Sequence, residues 1–145
     1  DYMDRTAVKQ KEVIAALQAV QPKAVTLFID SCYSGQTRVG ETLVAGSKPI
    51  ALKKSEVPYP PEFTVITASM LDQISWSSND LKHGIFSYYL MKGMEGEADL
   101  NKNGKITAAE MHEYLSDMVA RQAMGMNRKQ QPQLYGEAER ILVGR

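Results

Sequence analysis

Two short apolar runs constrain the fold of this chain more than any other feature. Val25-Thr26-Leu27-Phe28-Ile29 and Phe63-Thr64-Val65-Ile66-Thr67-Ala68-Ser69 are rich in β-branched and aromatic residues. Runs of this kind read as strands covered on both faces. Before the first, Thr6 to Val20 places Val13, Ile14, Leu17 and Val20 on one helical face, and Pro22 ends the pattern. A helix leading into a buried strand is the basic step of an α/β layer. Residues 36–62 mix glycines and prolines with Lys53, Lys54 and Glu56, which reads as a long surface loop containing a short helical or extended piece.

Beyond the second run, Leu71 to Leu81 is polar and turn-rich. Gly84 to Met94 then repeats apolar residues at Ile85, Phe86, Tyr89, Leu90 and Met94, the spacing of an amphipathic helix. A further helix is expected over about Ala108 to Met124, with Met111, Tyr114, Leu115, Met118 and Val119 facing inward. The tail from Gln131 to Val143 reads as a final strand. Arg121, Arg128, Lys129, Gln130 and Gln131 read as a solvated loop ahead of it, and the eight methionines as core filler.

With 145 residues, 43% hydrophobic and 23% charged, the chain has the proportions of one ordinary domain. Lys+Arg and Asp+Glu both number 17, so no global charge favours nucleic acid or an anionic membrane. No apolar stretch approaches the roughly 18 residues of a membrane span. A single cysteine excludes an internal disulfide; its free thiol fits a reducing compartment such as the cytoplasm, or a catalytic role.

That cysteine, Cys32, stands directly behind the first strand, where ligands of open α/β sheets collect. Ser34 and Gly35 let the backbone turn away. Taken alone, a lone cysteine is far more often a small buried hydrophobe than a nucleophile. However, Asp30-Ser31-Cys32-Tyr33-Ser34-Gly35 resembles the nucleophile motif of caspase-like cysteine peptidases, closest to the metacaspase and bacterial caspase-family branch. His83-Gly84-Ile85-Phe86-Ser87-Tyr88-Tyr89-Leu90 is similar to a run that opens a structural helix in that family. The likeness is strongest over residues 24–35 and 63–110. It implies an α/β, three-layer α/β/α sandwich with a mostly parallel central sheet. Residues 1–145 would be the C-terminal portion of the catalytic domain, incomplete at its N-terminal side.

The resemblance also implies a cysteine endopeptidase in which Cys32 attacks and a histidine acts as base. In caspases that histidine lies about 50 residues upstream of the cysteine, which here falls before Asp1. His83 belongs to the helix-opening run and His112 to a solvated helix face. The imidazole is therefore expected from a companion N-terminal segment or chain, and this chain alone is expected to be inactive. The expected partner is a polypeptide substrate, with no nucleic acid and no membrane.

Specificity rests on Asp30, two residues before Cys32 and so on the same side of the strand. Asp72 lies in Ala68-Ser69-Met70-Leu71-Asp72-Gln73-Ile74-Ser75, which resembles the family's Asp-Gln-Thr/Ser segment. In the metacaspase-like branch the matching acids bind the residue before the cut, and two carboxylates favour Arg or Lys there. Trp76 would wall an adjacent subsite. Read without the resemblance, Asp30 is a strand-end residue bonded to nearby backbone, Asp72 a turn or helix cap, and Trp76 a packing residue.

A separate signal spans Asp99 to Glu110, which fits the template of an EF-hand loop. Asp99, Asn101 and Asn103 offer side-chain oxygens, Lys105 a carbonyl, Gly104 the turn and Glu110 a carboxylate. The expectation is a weak Ca2+ site at 99–110, in a protein whose chemistry requires no cofactor. The competing reading is a loop closed by its own hydrogen bonds. For the chain as a whole, the alternative to a peptidase is a non-catalytic caspase-like interaction or calcium-binding module.

Overall fold

The structure, a computed structural model, describes residues 8–31, 59–69, 75, 77–78 and 83–144. Helix α1 spans Gln10–Ala19 and leads into strand β1, Val25–Ile29. Its end is set by Gln21, which takes the left-handed conformation at φ 50° while its N–H bonds the Gln18 carbonyl at 2.9 Å. Pro22 then prevents continuation. Strand β2, Phe63–Thr67, is followed by the small hairpin of β3, Ser77–Ser78, and β4, His83–Gly84. Helix α2 covers Ile85–Lys92 and passes into a single wide turn, Gly93–Glu97. Strand β5, Lys105–Thr107, helix α3, Ala108–Gly125, and strands β6, Gln133–Tyr135, and β7, Ile141–Gly144, complete the chain.

The main sheet has the order β1-β2-β6. Strands β1 and β2 are parallel, from Val25 opposite Phe63 to Ile29 opposite Thr67. Strand β6 runs antiparallel to β2, with Val65 opposite Tyr135 and Thr67 opposite Gln133. The expectation of a mostly parallel central sheet is therefore corrected: among the described residues the fold is a mixed α/β sheet with one parallel pair, and β3-β4 and β5-β7 are antiparallel as well. Between β2 and β6 the chain passes through the β3-β4 hairpin, α2, β5 and α3, and it re-enters the sheet beside β2 in the opposite direction.

Alternation along the strands divides the core in two. Phe63 and Val65 face α1, packing with Ile14, Leu17, Val25, Leu27 and Ile29. On the opposite face Ile66 and Ala68 meet Ile85 and Phe86 of α2 and Met111, Leu115 and Val119 of α3. Phe63, Ile66, Ile85, Phe86, Met111 and Leu115 are fully buried, and each contributes roughly 1.5–3 kcal/mol by burial. The α1 face is thinner. Only Ile14 of that helix is buried, whereas Val13 and Val20 are exposed.

Helix α3 is held at both ends. At its start Thr107 Oγ1 accepts the Glu110 N–H at 3.2 Å, and Glu110 Oε2 accepts the Thr107 N–H at 3.0 Å. This is a reciprocal capping box. At its end Asn127 adopts φ 55°, its N–H bonds the Met124 carbonyl at 2.9 Å, and the Arg128 N–H bonds the Ala123 carbonyl at 2.8 Å. That pairing is a Schellman motif with asparagine in the left-handed position. It turns the chain toward the sheet and places Gln130 inside, 2% exposed, where its Nε2 donates to the Ala68 carbonyl at 3.1 Å. Arg128 and Lys129 are exposed as expected, but Gln130 is not part of a solvated loop.

The expected single strand over Gln131 to Val143 is two strands. Gly136, at φ 89°, closes β6, and β7 pairs with β5 in a separate sheet. Among the described residues no helix is long and apolar enough to cross a membrane.

Candidate active site

The carboxyl ends of β1 and β2 form a rim, and Asp30 is the first residue beyond β1. The two strand ends are tied by the Ala68 N–H, which donates to the Ile29 carbonyl at 2.8 Å. Thr67 Oγ1 donates to the Ser69 carbonyl at 3.2 Å and shapes the exit of β2. Asp30 is half-buried, and both of its oxygens are engaged. Ser75 Oγ donates to Asp30 Oδ1, and Ser87 Oγ donates to Asp30 Oδ2 at 2.5 Å.

These two hydroxyls come from different elements. Ser75 is fully buried ahead of the β3-β4 hairpin, and Ser87 lies in the first turn of α2. By alternation Asp30 projects to the same face as Phe28, which packs in the α2/α3 core. The carboxylate thus meets α2 near its N-terminal end, where no side chain caps the helix and where a negative charge is favoured. Hydrogen bonds to an ionised carboxylate are stronger than neutral ones, so this bridge ties strand, hairpin and helix together.

Sequence reasoning singled out Asp30 as a specificity residue and did not anticipate the contacts of Ser75, Ser87 and Gln130 at these strand ends. Serine and glutamine carry no periodic signal, and their partners are far away in sequence: Gln130 and Ala68 are 62 residues apart. Cys32, Asp72 and Trp76 lie outside the described residues. Of the two histidines, His83 is exposed on β4, paired with Ser78. His112 is on α3 with its Nε2 3.2 Å from the Pro132 carbonyl and 3.3 Å from Ser116 Oγ, a structural tie between helix and loop.

The EF-hand-like segment does not form a metal site, which corrects the calcium expectation. Asp99 Oδ1 accepts the Asn103 N–H at 3.1 Å and Oδ2 the Gly104 N–H at 2.9 Å. Asn101 Oδ1 accepts the same Asn103 N–H at 3.0 Å, and Asn103 Oδ1 accepts the Lys105 N–H at 2.8 Å. Glu110, the would-be bidentate ligand, caps α3 through Oε2 instead, accepting from the Thr107 backbone and hydroxyl, both at 3.0 Å. Its other oxygen, Oε1, is buried without a hydrogen-bond partner. One such oxygen is far from the six to eight that calcium takes. Among the described residues no group of three or more His, Cys, Asp or Glu side chains is placed to hold a metal. Asp99, Asn101, Asn103, Lys105 and Glu110 therefore build a self-closed turn and a helix cap.

Neither the curated proteins nor the solved structures give a significant match. The family model for the peptidase C14 caspase domain matches residues 2–142. Since that match runs over nearly all of the 145 residues, the chain belongs to the caspase family and is a cysteine-type endopeptidase domain.

Proposed function

We propose that this peptidase cleaves polypeptides after Arg or Lys, with Cys32 as nucleophile and an imidazole supplied by polypeptide outside residues 1–145. The observation that carries the basic preference is Asp30, a half-buried carboxylate at the strand end, two residues from the cysteine, held by two hydroxyl donors. A fixed anion in a substrate groove selects a cationic side chain and repels an acidic one. Asp72 would add a second negative charge, and Trp76 would wall a neighbouring subsite.

In this reading the imidazole takes the Cys32 proton, and the thiolate attacks the scissile carbonyl to form a C–S bond. Backbone N–H groups of Cys32 and neighbouring glycines would receive the developing oxyanion. The imidazolium then protonates the departing amine as the C–N bond breaks, leaving a thioester. Water, deprotonated by the same imidazole, hydrolyses the thioester and restores the thiol. Asp30 takes no proton in this sequence; it orients the substrate.

Fluorogenic peptides differing only in the residue before the cut, Arg, Lys, Asp or citrulline, test the assignment on the whole protein. Arg and Lys peptides should be cleaved and Asp and citrulline peptides not. Cys32→Ala should abolish turnover, and Asp30→Ala should remove the basic preference. Preferential cleavage of the Asp peptide, or a basic preference that survives Asp30→Ala, overturns the reading.

A further inference from the structure

We propose that Ser75 and Ser87 are positioning residues for substrate selection: they fix the plane of the Asp30 carboxylate so that it favours the planar fork of arginine over the ammonium of lysine. This deepens the basic preference proposed above and rests on it. Ser75 Oγ bonds Oδ1 and Ser87 Oγ bonds Oδ2, so each oxygen of the carboxylate has its own hydroxyl. One such bond would leave the carboxyl group able to swivel about its last torsion. Two, one on each oxygen and from segments far apart in sequence, stop that rotation.

The donors are themselves anchored. Ser75 is fully buried and sits just ahead of β3. Ser87 follows Ile85 and Phe86, both fully buried against the sheet, so its Cα moves only if α2 moves. A guanidinium binds a carboxylate best through two parallel N–H···O bonds in one plane, whereas an ammonium is a point charge indifferent to that plane. Freezing the plane therefore adds to arginine binding and adds little to lysine binding. A carboxylate free to rotate would still attract both cations.

The test uses the whole protein carrying Cys32→Ala, so that peptides bind without being cut. Matched peptides with Arg, Lys or citrulline before the scissile bond are titrated by calorimetry. The parent should bind the Arg peptide more tightly than the Lys peptide, and both more tightly than the citrulline peptide. Ser87→Ala and Ser75→Ala should each lower the Arg-to-Lys affinity ratio by roughly 3- to 10-fold, the size of one lost hydrogen bond, while the Lys affinity changes less than about twofold. Ser87→Thr, which restores a hydroxyl, should return the ratio toward that of the parent. A merely structural role would lower both affinities together.

If Asp30→Asn abolishes discrimination against citrulline while Ser87→Ala leaves the Arg-to-Lys ratio within twofold, the positioning role is overturned and the basic pocket stands. If Asp30→Asn leaves discrimination against citrulline intact, the pocket assignment falls and the proposal with it. Should Ser75→Ala fail to fold because of its buried position, the Ser87→Ala and Ser87→Thr pair decides the question.

Discussion

Adding one methyl group at Gly136 should unfold this protein more readily than removing a core methyl. Gly136 ends β6 at φ 89°, a conformation in which L side chains meet the following carbonyl. For alanine that strain is about 1–2 kcal/mol. The surroundings add more: a Cβ built there would lie 2.0 Å from the Phe63 carbonyl oxygen, 3.0 Å from its carbon and 3.1 Å from Thr64 Cα. All three atoms are backbone, so no side chain can rotate away. Relief requires moving the β6 end about 1 Å from β2, which adds roughly 1–3 kcal/mol of overpacking and weakens the neighbouring Val65–Tyr135 pairing. Gly136→Ala is thus expected to destabilise the protein by about 3–5 kcal/mol and to lower Tm by roughly 10 °C or more. Gly125→Ala is the control. That glycine is the last residue of α3 and has no atom within 4 Å of a built Cβ, so the same methyl group should stabilise by about 0.5 kcal/mol through helix propensity. Urea and thermal melts followed by circular dichroism measure both. A Gly136→Ala protein within 1 kcal/mol of the parent would refute the backbone-contact argument.

The capping role of the EF-hand-like segment predicts that Thr107→Ala lowers stability by about 1 kcal/mol, and that millimolar calcium leaves Tm unchanged in thermal melts of the parent; a calcium-dependent rise would contradict the self-closed loop. Tyr114 donates its hydroxyl to Glu97 at 2.6 Å. Burial, followed by this bond to the carboxylate, pushes the phenol far above its ordinary range. Because the folded-state pKa is the higher one, the contribution is complete below the unfolded tyrosine value near 10 and is lost as pH rises beyond it. Tyr114→Phe should lower the neutral-pH stability read from urea melts by about 1 kcal/mol and flatten the decline in stability above about pH 10. An unchanged alkaline slope would assign that decline to other groups.

The parts of the fold that read well from sequence are those whose signal is local. The β-branched runs at Val25 and Phe63 are strands, and the helix expected over about Ala108 to Met124 runs to Gly125. The helix expected over Gly84 to Met94 ends at Lys92, where the ladder widens into the Gly93–Glu97 turn. Strand direction was not legible in this way, because it depends on where and from which end the chain re-enters the sheet, as β6 does beside β2. The tail pattern around Leu134, Tyr135 and Ile141 showed strand character but not its division between two sheets. The calcium template specifies which oxygens a loop contains; it cannot say that backbone N–H groups and a helix cap already use them. At the strand ends, Asp30 stands out in the sequence through its spacing from Cys32, whereas the contacts of Ser75, Ser87 and Gln130 join distant segments and leave no local signal.

Since β6 begins beside Thr67, the segment entering it from Asn127 to Pro132 arrives at the edge where β1 and β2 finish. Gln130 fastens it there, and His112 secures Pro132 from the helix side. The exposed residue Lys129, between the end of the α3 cap and the buried Gln130, therefore stands where an exchange of side chain alters the surface beside the strand ends without disturbing a strand.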